Sequence, residues 1–321
     1  MLELKIIKYL DDTMRRLKLY ISMYGTLGII IGITTLFLAG ILYFIGFLNI
    51  FTLIFITIVF NILQWLFAPY IIEMIYGIRE INRDEVPWLH NIVEGLARKS
   101  GINKPKIMIS GLSIPNAFAY GSPLTGNRIA VTRGLLSTLS RDEVEAVLGH
   151  EFGHIVHKDI QIMMLVSLLP ALLYYIGRVM LFTRDDENRG GIAIFGFLSV
   201  ILSQILYLFV LGLSRLREYY ADEYSANIVE NGARKLQLAL IKIIKTTSSL
   251  INKGIDISKV SGFRSLFIVD PSTSHRDLEE LELLRSIRSR KISLWENILE
   301  LFSTHPNIVK RIRALDQYCS K

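Results

Sequence analysis

The sequence contains a single cysteine, Cys319, in 321 residues, so no disulfide can form within the chain. This excludes the small secreted domains that depend on a disulfide framework, and nothing indicates an oxidising compartment. Internal repeats, low-complexity tracts and nucleic-acid-binding motifs are also lacking. The formal net charge of +7 is therefore assigned to the lysine and arginine excess of a membrane protein's cytoplasmic segments, and no nucleic-acid partner is predicted.

Charge is missing from one long stretch near the start of the chain. Residues 19–72 include no Asp, Glu, Lys or Arg, and the chain as a whole is 51 % hydrophobic with a mean hydropathy of +0.40. This stretch is too long for one spanning helix, which needs roughly 20 residues. Because the GFLN segment at 46–49 is typical of a turn, the sequence predicts two membrane spans, near 22–45 and 50–72.

Two further spans are predicted, at residues 160–182, with a kink at Pro170, and at 191–214. The basic residues before the first span place the N-terminus in the cytoplasm. The chain is then divided into four parts: an N-terminal hairpin (1–72), a cytoplasmic part (73–159), a second transmembrane pair (160–214) and a second cytoplasmic part (215–321). A cleaved secretory signal is not expected, because the first apolar run is too long and a second one follows it.

Residues 146–159 read AVLGHEFGHIVHKD and contain a pattern typical of a zinc site. Ser140 and Glu143 form a predicted capping box that begins a helix, so His150 and His154 project from one face, one turn apart. Two imidazoles at this spacing can supply two ligands of a tetrahedral zinc ion, and Glu151 is placed to accept a proton from the attacking water. We expect this helix to continue directly into the third span.

A third ligand must come from elsewhere in the chain. A metzincin would carry its third histidine at position 160, which is Ile160. His157 lies only one turn beyond His154, and three ligands from one straight helix would strain a tetrahedral site, although this alternative stays open. The favoured candidate is Glu218, in SRLREYYADEYSANIV after the fourth span. Asp222, one turn further on, can accept a hydrogen bond from a ligating histidine.

Together, GHEFGHIVHKD, two apolar spans and LREYYADEYSA resemble the HtpX-type membrane zinc metallopeptidases, relatives of the CAAX prenyl endopeptidases. The resemblance implies that one zinc ion per chain is bound by His150, His154 and Glu218, with Asp222 supporting the ligands. It also implies a mainly α membrane protein with four transmembrane helices. A gluzincin-like α+β zinc peptidase domain with a small sheet is expected on the cytoplasmic side.

Two weaker matches follow from the same resemblance. SIPNAFAYG, at 113–121, is similar to an edge strand that pairs with an extended substrate, and Pro115 and Gly121 suit such a strand. The implied substrate contacts are Asn116, Ala117, Phe118 and Ala119. The segment STHPNIVKRIRAL implies that His305 stabilises the oxyanion of the tetrahedral intermediate.

The predicted function is a multi-pass endopeptidase of the cell membrane that cleaves misfolded or damaged membrane proteins, or other unfolded polypeptides, on the cytoplasmic side. One alternative is a CAAX-type processing protease, which would need more spans than four. Another is a catalytically inactive adaptor, and a third is a metal transporter, whose ionisable residues would lie within the spans. No substrate identity or oligomeric state is predicted. Residues 245–300 carry no recognisable chemistry, and the segment EELELLRSIRSRKISLWENILELF at 279–302 is predicted to form one or two amphipathic helices, which are most often a packing face.

Overall fold

The structure is a computed structural model that describes residues 50–182, 189–253, 286 and 288–319, most of them helical. The helices are α1 (Ile50–Tyr76), α2 (Pro87–Ser100), α3 (Arg133–Thr138), α4 (Arg141–Val156), α5 (Asp159–Phe182), α6 (Arg189–Ile228), α7 (Gly232–Asn252), α8 (Leu294–Glu300) and α9 (Ile308–Cys319). The strands are β1 (Arg79–Glu80), β2 (Lys106–Ser110), β3 (Ala117–Ser122) and β4 (Gly126–Thr132). The predicted mainly helical fold with a small sheet is confirmed.

The sheet has the strand order β1-β2-β4-β3, so β3 lies at one edge. Strand β4 runs parallel to β2 and antiparallel to β3. The β3–β4 hairpin closes at Gly126, whose φ of +67° lies in the left-handed region that favours glycine. An edge strand is therefore present where the sequence predicted one, and it begins one residue after Asn116.

Helix α4 forms the centre of the core. Its predicted capping box is confirmed, because the Ser140 hydroxyl accepts from the Glu143 N–H and the Glu143 carboxylate accepts from the Ser140 N–H. The helix packs against α2, α7 and β3, which buries nearly all of its length from Glu143 to Ile155. Such a buried helix gives its polar side chains fixed positions, because few alternative rotamers fit a close-packed core.

The prediction that this helix continues into the third span is wrong. Helix α4 ends at Val156, and Lys158 adopts a φ of +57°, so the backbone changes direction before α5 begins at Asp159. The N–H of Lys158 donates to the carbonyl of Ile155 across this tight turn. The break brings the Asp159 side chain back toward α4.

The described residues divide into two compact units. The smaller unit contains residues 50–61 and 163–213, and the larger unit contains residues 62–162 and 214–319. Within the smaller unit, α5 and α6 approach closely at two glycines, since a Cβ added to Gly177 would lie 2.7 Å from the Gly196 carbonyl oxygen. Small residues at such contacts are typical of helix pairs in membranes.

Of the residues that the structure describes, one helical segment, Gly191–Ile228, is long and apolar enough by length and composition to cross a membrane. It contains the predicted span at 191–214. The spans predicted at 50–72 and 160–182 fall on α1 and α5, which are helical over 27 and 24 residues. The span predicted at 22–45 lies outside the described residues.

Candidate metal centre

The two histidines of α4 face each other in the C-terminal half of the helix, with His154 in its last turn. Their Nε2 atoms lie 3.2 Å apart, and their rings are perpendicular, with centroids separated by 4.8 Å. His150 is fully buried, and His154 retains a small exposed fraction. The i, i+4 spacing therefore brings both imidazoles to a common point.

Glu218 reaches the same point from α6. Its Oε1 lies 3.5 Å from His154 Nε2, and its Oε2 lies 3.6 Å from His150 Nε2. The approach of the two helices depends on Gly153, because a Cβ at that position would lie 2.9 Å from the Cα of Ala221. The Ser225 hydroxyl also donates to the Ala146 carbonyl at 2.6 Å, which fixes the two helices at this crossing.

These three residues fit a zinc ion. Ligand atoms at the corners of a tetrahedron with bonds of about 2.0–2.1 Å are separated by about 3.3 Å. In the protein the two Nε2 atoms are 3.2 Å apart, and each lies 3.5 or 3.6 Å from a different oxygen of Glu218. With one ligand atom taken from each residue, all three atoms lie within 4.8 Å of one another. Two imidazoles and one carboxylate are also the donor set of known catalytic zinc sites that keep a fourth position open.

Each histidine is oriented by a buried aspartate. Asp222 Oδ1 lies 2.9 Å from His150 Nδ1, and Asp159 Oδ2 lies 2.6 Å from His154 Nδ1. A carboxylate on Nδ1 selects the tautomer that leaves Nε2 free for a metal. Burial alone would lower the pKa of His154, but its hydrogen bonds to Asp159 and Glu218 raise that pKa to about 10. These carboxylates therefore favour a positive charge at His154 Nε2, which either a proton or a bound metal ion would supply.

Each of these aspartates is in turn paired with a buried arginine. Arg311 of α9 makes two hydrogen bonds to Asp222, of 2.8 and 2.6 Å, and Arg217 Nε lies 2.7 Å from Asp159 Oδ1. A guanidinium is suited to this geometry because its fixed fork matches a carboxylate. Each histidine therefore contacts an aspartate, and each of these aspartates contacts an arginine.

Glu151 lies between the histidines and the sheet. It is buried, and its Oε2 accepts a hydrogen bond of 2.7 Å from the N–H of Ala119 in the edge strand. Burial raises the pKa of Glu151 above its ordinary value, even though His154 and His150 act to lower it. The carboxylate is therefore fixed between the two histidines and the outer edge of β3, the last strand of the described sheet.

The edge strand presents backbone groups to this junction. Antiparallel pairing directs the backbone groups of alternate residues toward the neighbouring strand and away from it. Because the N–H of Ala119 donates to Glu151, Ala119 is one of the residues whose groups point away from β4. Asn116 is buried, and its backbone N–H and carbonyl both bond to Thr132, which ties the start of β3 to β4.

His305 approaches from the segment before α9. Its Nδ1 lies 3.1 Å from Glu218 Oε2, and the ring is buried. Arg311 Nη1 lies at the same distance from that oxygen. His157, the alternative ligand, points elsewhere: its ring makes edge contacts with Tyr220 and Tyr224.

Sequence reasoning named most of this cluster but missed Asp159, Arg217 and Arg311. Asp159 is five residues beyond His154 and would face away from it on a continuous helix, so only the break at Lys158 makes the contact possible. Arg217 is beside Glu218, and Arg311 belongs to VKRIRAL. Other basic residues lie close to each of these arginines in the sequence, and no spacing rule shows which of them will pair with a buried aspartate.

We expect Arg311→Met to lower the free energy of unfolding by about 3–5 kcal/mol, because it leaves the buried Asp222 carboxylate without its cation. Denaturant unfolding of the detergent-solubilised chain would measure the change. The matched control is Gln317→Met on the exposed side of the same helix, for which a change within about 0.5 kcal/mol is expected. Equal stability of the two variants would show that the ion pair does not support the fold.

Comparisons with known proteins agree with this geometry. The sequence profile of peptidase family M48 matches residues 83–319. The chain is 37 % identical over 314 residues to a protease HtpX homolog of Thermoplasma acidophilum, covering 94 % of this chain and 97 % of that protein. It is 39 % identical over 271 residues to a protease HtpX homolog of Aeropyrum pernix, covering 81 % of this chain and 83 % of that protein.

Among solved structures, the crystal structure of S. mikatae Ste24p is similar, with a TM-score of 0.55 and 20 % sequence identity. The match covers 97 % of this chain and 67 % of that one. At this identity the likeness concerns the fold alone.

Proposed function

Because the chain belongs to peptidase family M48 and is a zinc-dependent metallopeptidase of the HtpX type, we propose that it is a membrane-embedded endopeptidase that acts at the cytoplasmic surface. The observation that carries this proposal is the convergence of His150, His154 and Glu218, with Glu151 placed between them and an edge strand. We assign the three convergent residues as the ligands of one zinc ion per chain.

Zinc bound by these residues would supply a Lewis acid that lowers the pKa of a water molecule and polarises the scissile carbonyl. Glu151 is the general base in this proposal, because its carboxylate lies beside both ligating histidines. It accepts the proton of the attacking water and passes it to the leaving amine. The N–H of Ala119 donates to Oε2 of this carboxylate and so fixes its orientation.

The free edge of β3 is the proposed docking site for an extended substrate. A peptide added as a further strand gains main-chain hydrogen bonds that do not depend on its sequence. Asn116, Ala117, Phe118 and Ala119 are the proposed contacts, with the backbone of Ala119 nearest to Glu151. This arrangement would place one peptide bond over the metal and hold it there.

His305 is the proposed donor to the oxyanion. It lies within 3.1 Å of Glu218, so it belongs to the same cluster as the metal ligands. A donor held in a buried site stabilises a developing negative charge more strongly than water does, because it does not have to reorient during the reaction. The same contact also restrains the Glu218 carboxylate.

The membrane arrangement in this proposal keeps the four predicted spans and the four-part division of the chain. The apolar part of α6 and the glycine contact between α5 and α6 support it. Glu218 follows the end of the predicted span at residue 214 by four residues, a distance of about 6 Å along a helix. The metal centre would therefore lie close to the cytoplasmic surface of the membrane.

This location suggests the class of substrate. Loops and tails of other membrane proteins come within reach of a site so close to the bilayer, whereas freely diffusing folded proteins encounter it less often. Misfolded or damaged membrane proteins expose such extended segments, so we propose a role in their quality control. A CAAX-type processing protease is the second candidate among enzymes, and a catalytically inactive adaptor is the candidate outside them.

The full chain, solubilised in detergent, tests this proposal when it is incubated with unfolded casein, with and without a zinc chelator. We expect cleavage at internal peptide bonds, loss of cleavage with the chelator, recovery when zinc is restored, and about one zinc per chain. A farnesylated CAAX peptide, tested in parallel, would be cleaved preferentially by a processing protease. Zinc binding without cleavage of either substrate would favour the adaptor.

A further inference from the structure

Helix α8 and the turn that follows it expose an apolar surface that the proposed function does not use. Leu294 is 82 % exposed, Trp295 72 %, Leu299 65 % and Phe302 66 %. With Ile298 and Leu301, which are also exposed, these side chains form what we call the α8 apolar surface. The amphipathic pattern of residues 279–302 favoured a packing face. Ile292 does pack against the core, but the apolar side chains named above are exposed.

This surface is not a frayed end of the chain. Ser293 and Glu296 form a complete capping box at the start of α8. At the other end, the Glu300 carboxylate accepts from the N–H of Asn307 at 3.1 Å and pairs with Lys310. The helix is therefore held at both ends while its apolar side chains remain exposed.

The position of α8 is fixed beside the point where α6 leaves its uncharged stretch. Residues 190–214 contain no charged side chain, and Arg215 is the next residue. Arg215 donates to the carbonyl of Leu301 at 3.1 Å and to that of Ser303 at 2.7 Å. If residues 191–214 span a bilayer, Arg215 is the first residue beyond the span, and the backbone of Leu301 and Ser303 lies directly beside that residue.

The residues before α8 carry the charge that a bilayer surface would attract. Arg290 and Lys291 are exposed; Arg290 also pairs with Glu296 of α8, and Arg288, two residues earlier, pairs with Asp316. Basic residues next to an apolar helix face, with a tryptophan on that face, are the pattern of helices that lie in the membrane interface. Such residues are attracted to acidic lipid headgroups within a Debye length.

We propose that the α8 apolar surface inserts into the boundary between headgroups and acyl chains of an acidic bilayer, with Arg290 and Lys291 facing the headgroups. Helices of this kind bury their apolar side by about 5–10 Å. Because His305 follows Phe302 by three residues, the same anchor holds the segment that carries His305 beside Glu218. This inference rests on the proposed membrane location of the chain, and its test separates the two.

Fluorescence quenching by spin-labelled lipids measures the depth of a chosen residue. We would replace Cys319 by Ser and attach one small fluorophore to the full chain in nanodiscs, at Leu299→Cys, Phe197→Cys or Asn227→Cys. Phe197 is an exposed residue of the uncharged stretch and reports whether that stretch is in the bilayer. Asn227 is an exposed residue twelve positions beyond Arg215 on α6, about 18 Å away along the helix, and is the control for a surface outside the bilayer.

With the nitroxide near the headgroup end of the acyl chain, we expect the label at 299 to be quenched at least about twofold more than the label at 227. Replacing Trp295 by Glu should remove this difference, because a charge on the apolar face opposes insertion. Quenching at 299 should also be stronger in bilayers containing phosphatidylglycerol than in pure phosphatidylcholine. Equal quenching in the two kinds of bilayer would overturn the proposal that the basic residues face acidic headgroups.

Three other outcomes would overturn the anchor itself. Quenching at 197 without quenching at 299 means that the chain is embedded but α8 is not. Protection of the label at 299 from water-soluble quenchers only in nanodiscs with two protomers identifies a second copy of the chain as the partner of this surface. Protection in detergent and in bilayers alike, without lipid quenching, identifies another segment of the same chain. Absence of quenching at 197 would instead overturn the proposed membrane location.

Discussion

Replacing Glu151 by Gln is expected to reduce peptide-bond cleavage by roughly 10²–10⁴-fold, which is the usual contribution of a general base, while bound zinc stays near one equivalent. Glutamine has nearly the same shape and can still accept the hydrogen bond from the N–H of Ala119. It cannot take a proton from water at neutral pH. The substitution therefore removes the proposed proton transfer and leaves the proposed ligands His150 and His154 in place. Steady-state cleavage of unfolded casein and metal analysis of the purified variant would measure both quantities.

The matched control is Glu145→Gln on the same helix. Glu145 is partly exposed and lies 3.6 Å from Lys235, away from the histidines, so its substitution should leave both cleavage and zinc content unchanged. Retained cleavage in Glu151→Gln would mean that another group activates the water. If the wild-type chain and Glu151→Gln support the same cellular function, the adaptor hypothesis would be preferred over the peptidase hypothesis.

The residues of α4 were predictable because their arrangement is local. A capping box and an apolar period of 3.6 residues set the phase of the helix, and that phase places His150 and His154 on one face. Glu218 was predictable for a different reason. Its motif resembles a known family, but nothing in the spacing shows that Gly153 allows α6 to approach α4 so closely.

What the sequence did not indicate depends on contacts between distant segments. Asp159 reaches His154 only because Lys158 adopts a left-handed conformation, which a lysine rarely does and no pattern at this position predicts. The order of strands in the sheet, which places β3 at the edge, is also set by pairing across the chain. The exposure of the α8 apolar surface could not be predicted for the same reason, because an amphipathic pattern does not show which part of the chain will cover its apolar side.

Replacing Glu218 by Ala is expected to lower bound zinc to well below one equivalent. Loss of a residue that only supports a ligand costs roughly 10–100-fold in metal affinity, and loss of the ligand itself should cost more. The substitution removes the carboxylate whose oxygens lie 3.5 and 3.6 Å from the two histidines, which leaves only two nitrogen donors. Zinc titration followed by metal analysis would measure the affinity, and cleavage should fall with it.

The control for this variant is Glu223→Ala, five residues further along α6, which removes a carboxylate of the same size from outside the cluster. That variant should bind zinc as the wild type does. Full zinc occupancy in Glu218→Ala would reopen the case for His157, although its ring contacts Tyr220 and Tyr224 and would have to turn toward α4. The single variant His157→Ala and the double variant then decide between the two ligands. If His157 is the third ligand, zinc is retained in Glu218→Ala and lost in both variants that lack His157. If Glu218 is the third ligand, zinc is already lost in Glu218→Ala and retained in His157→Ala.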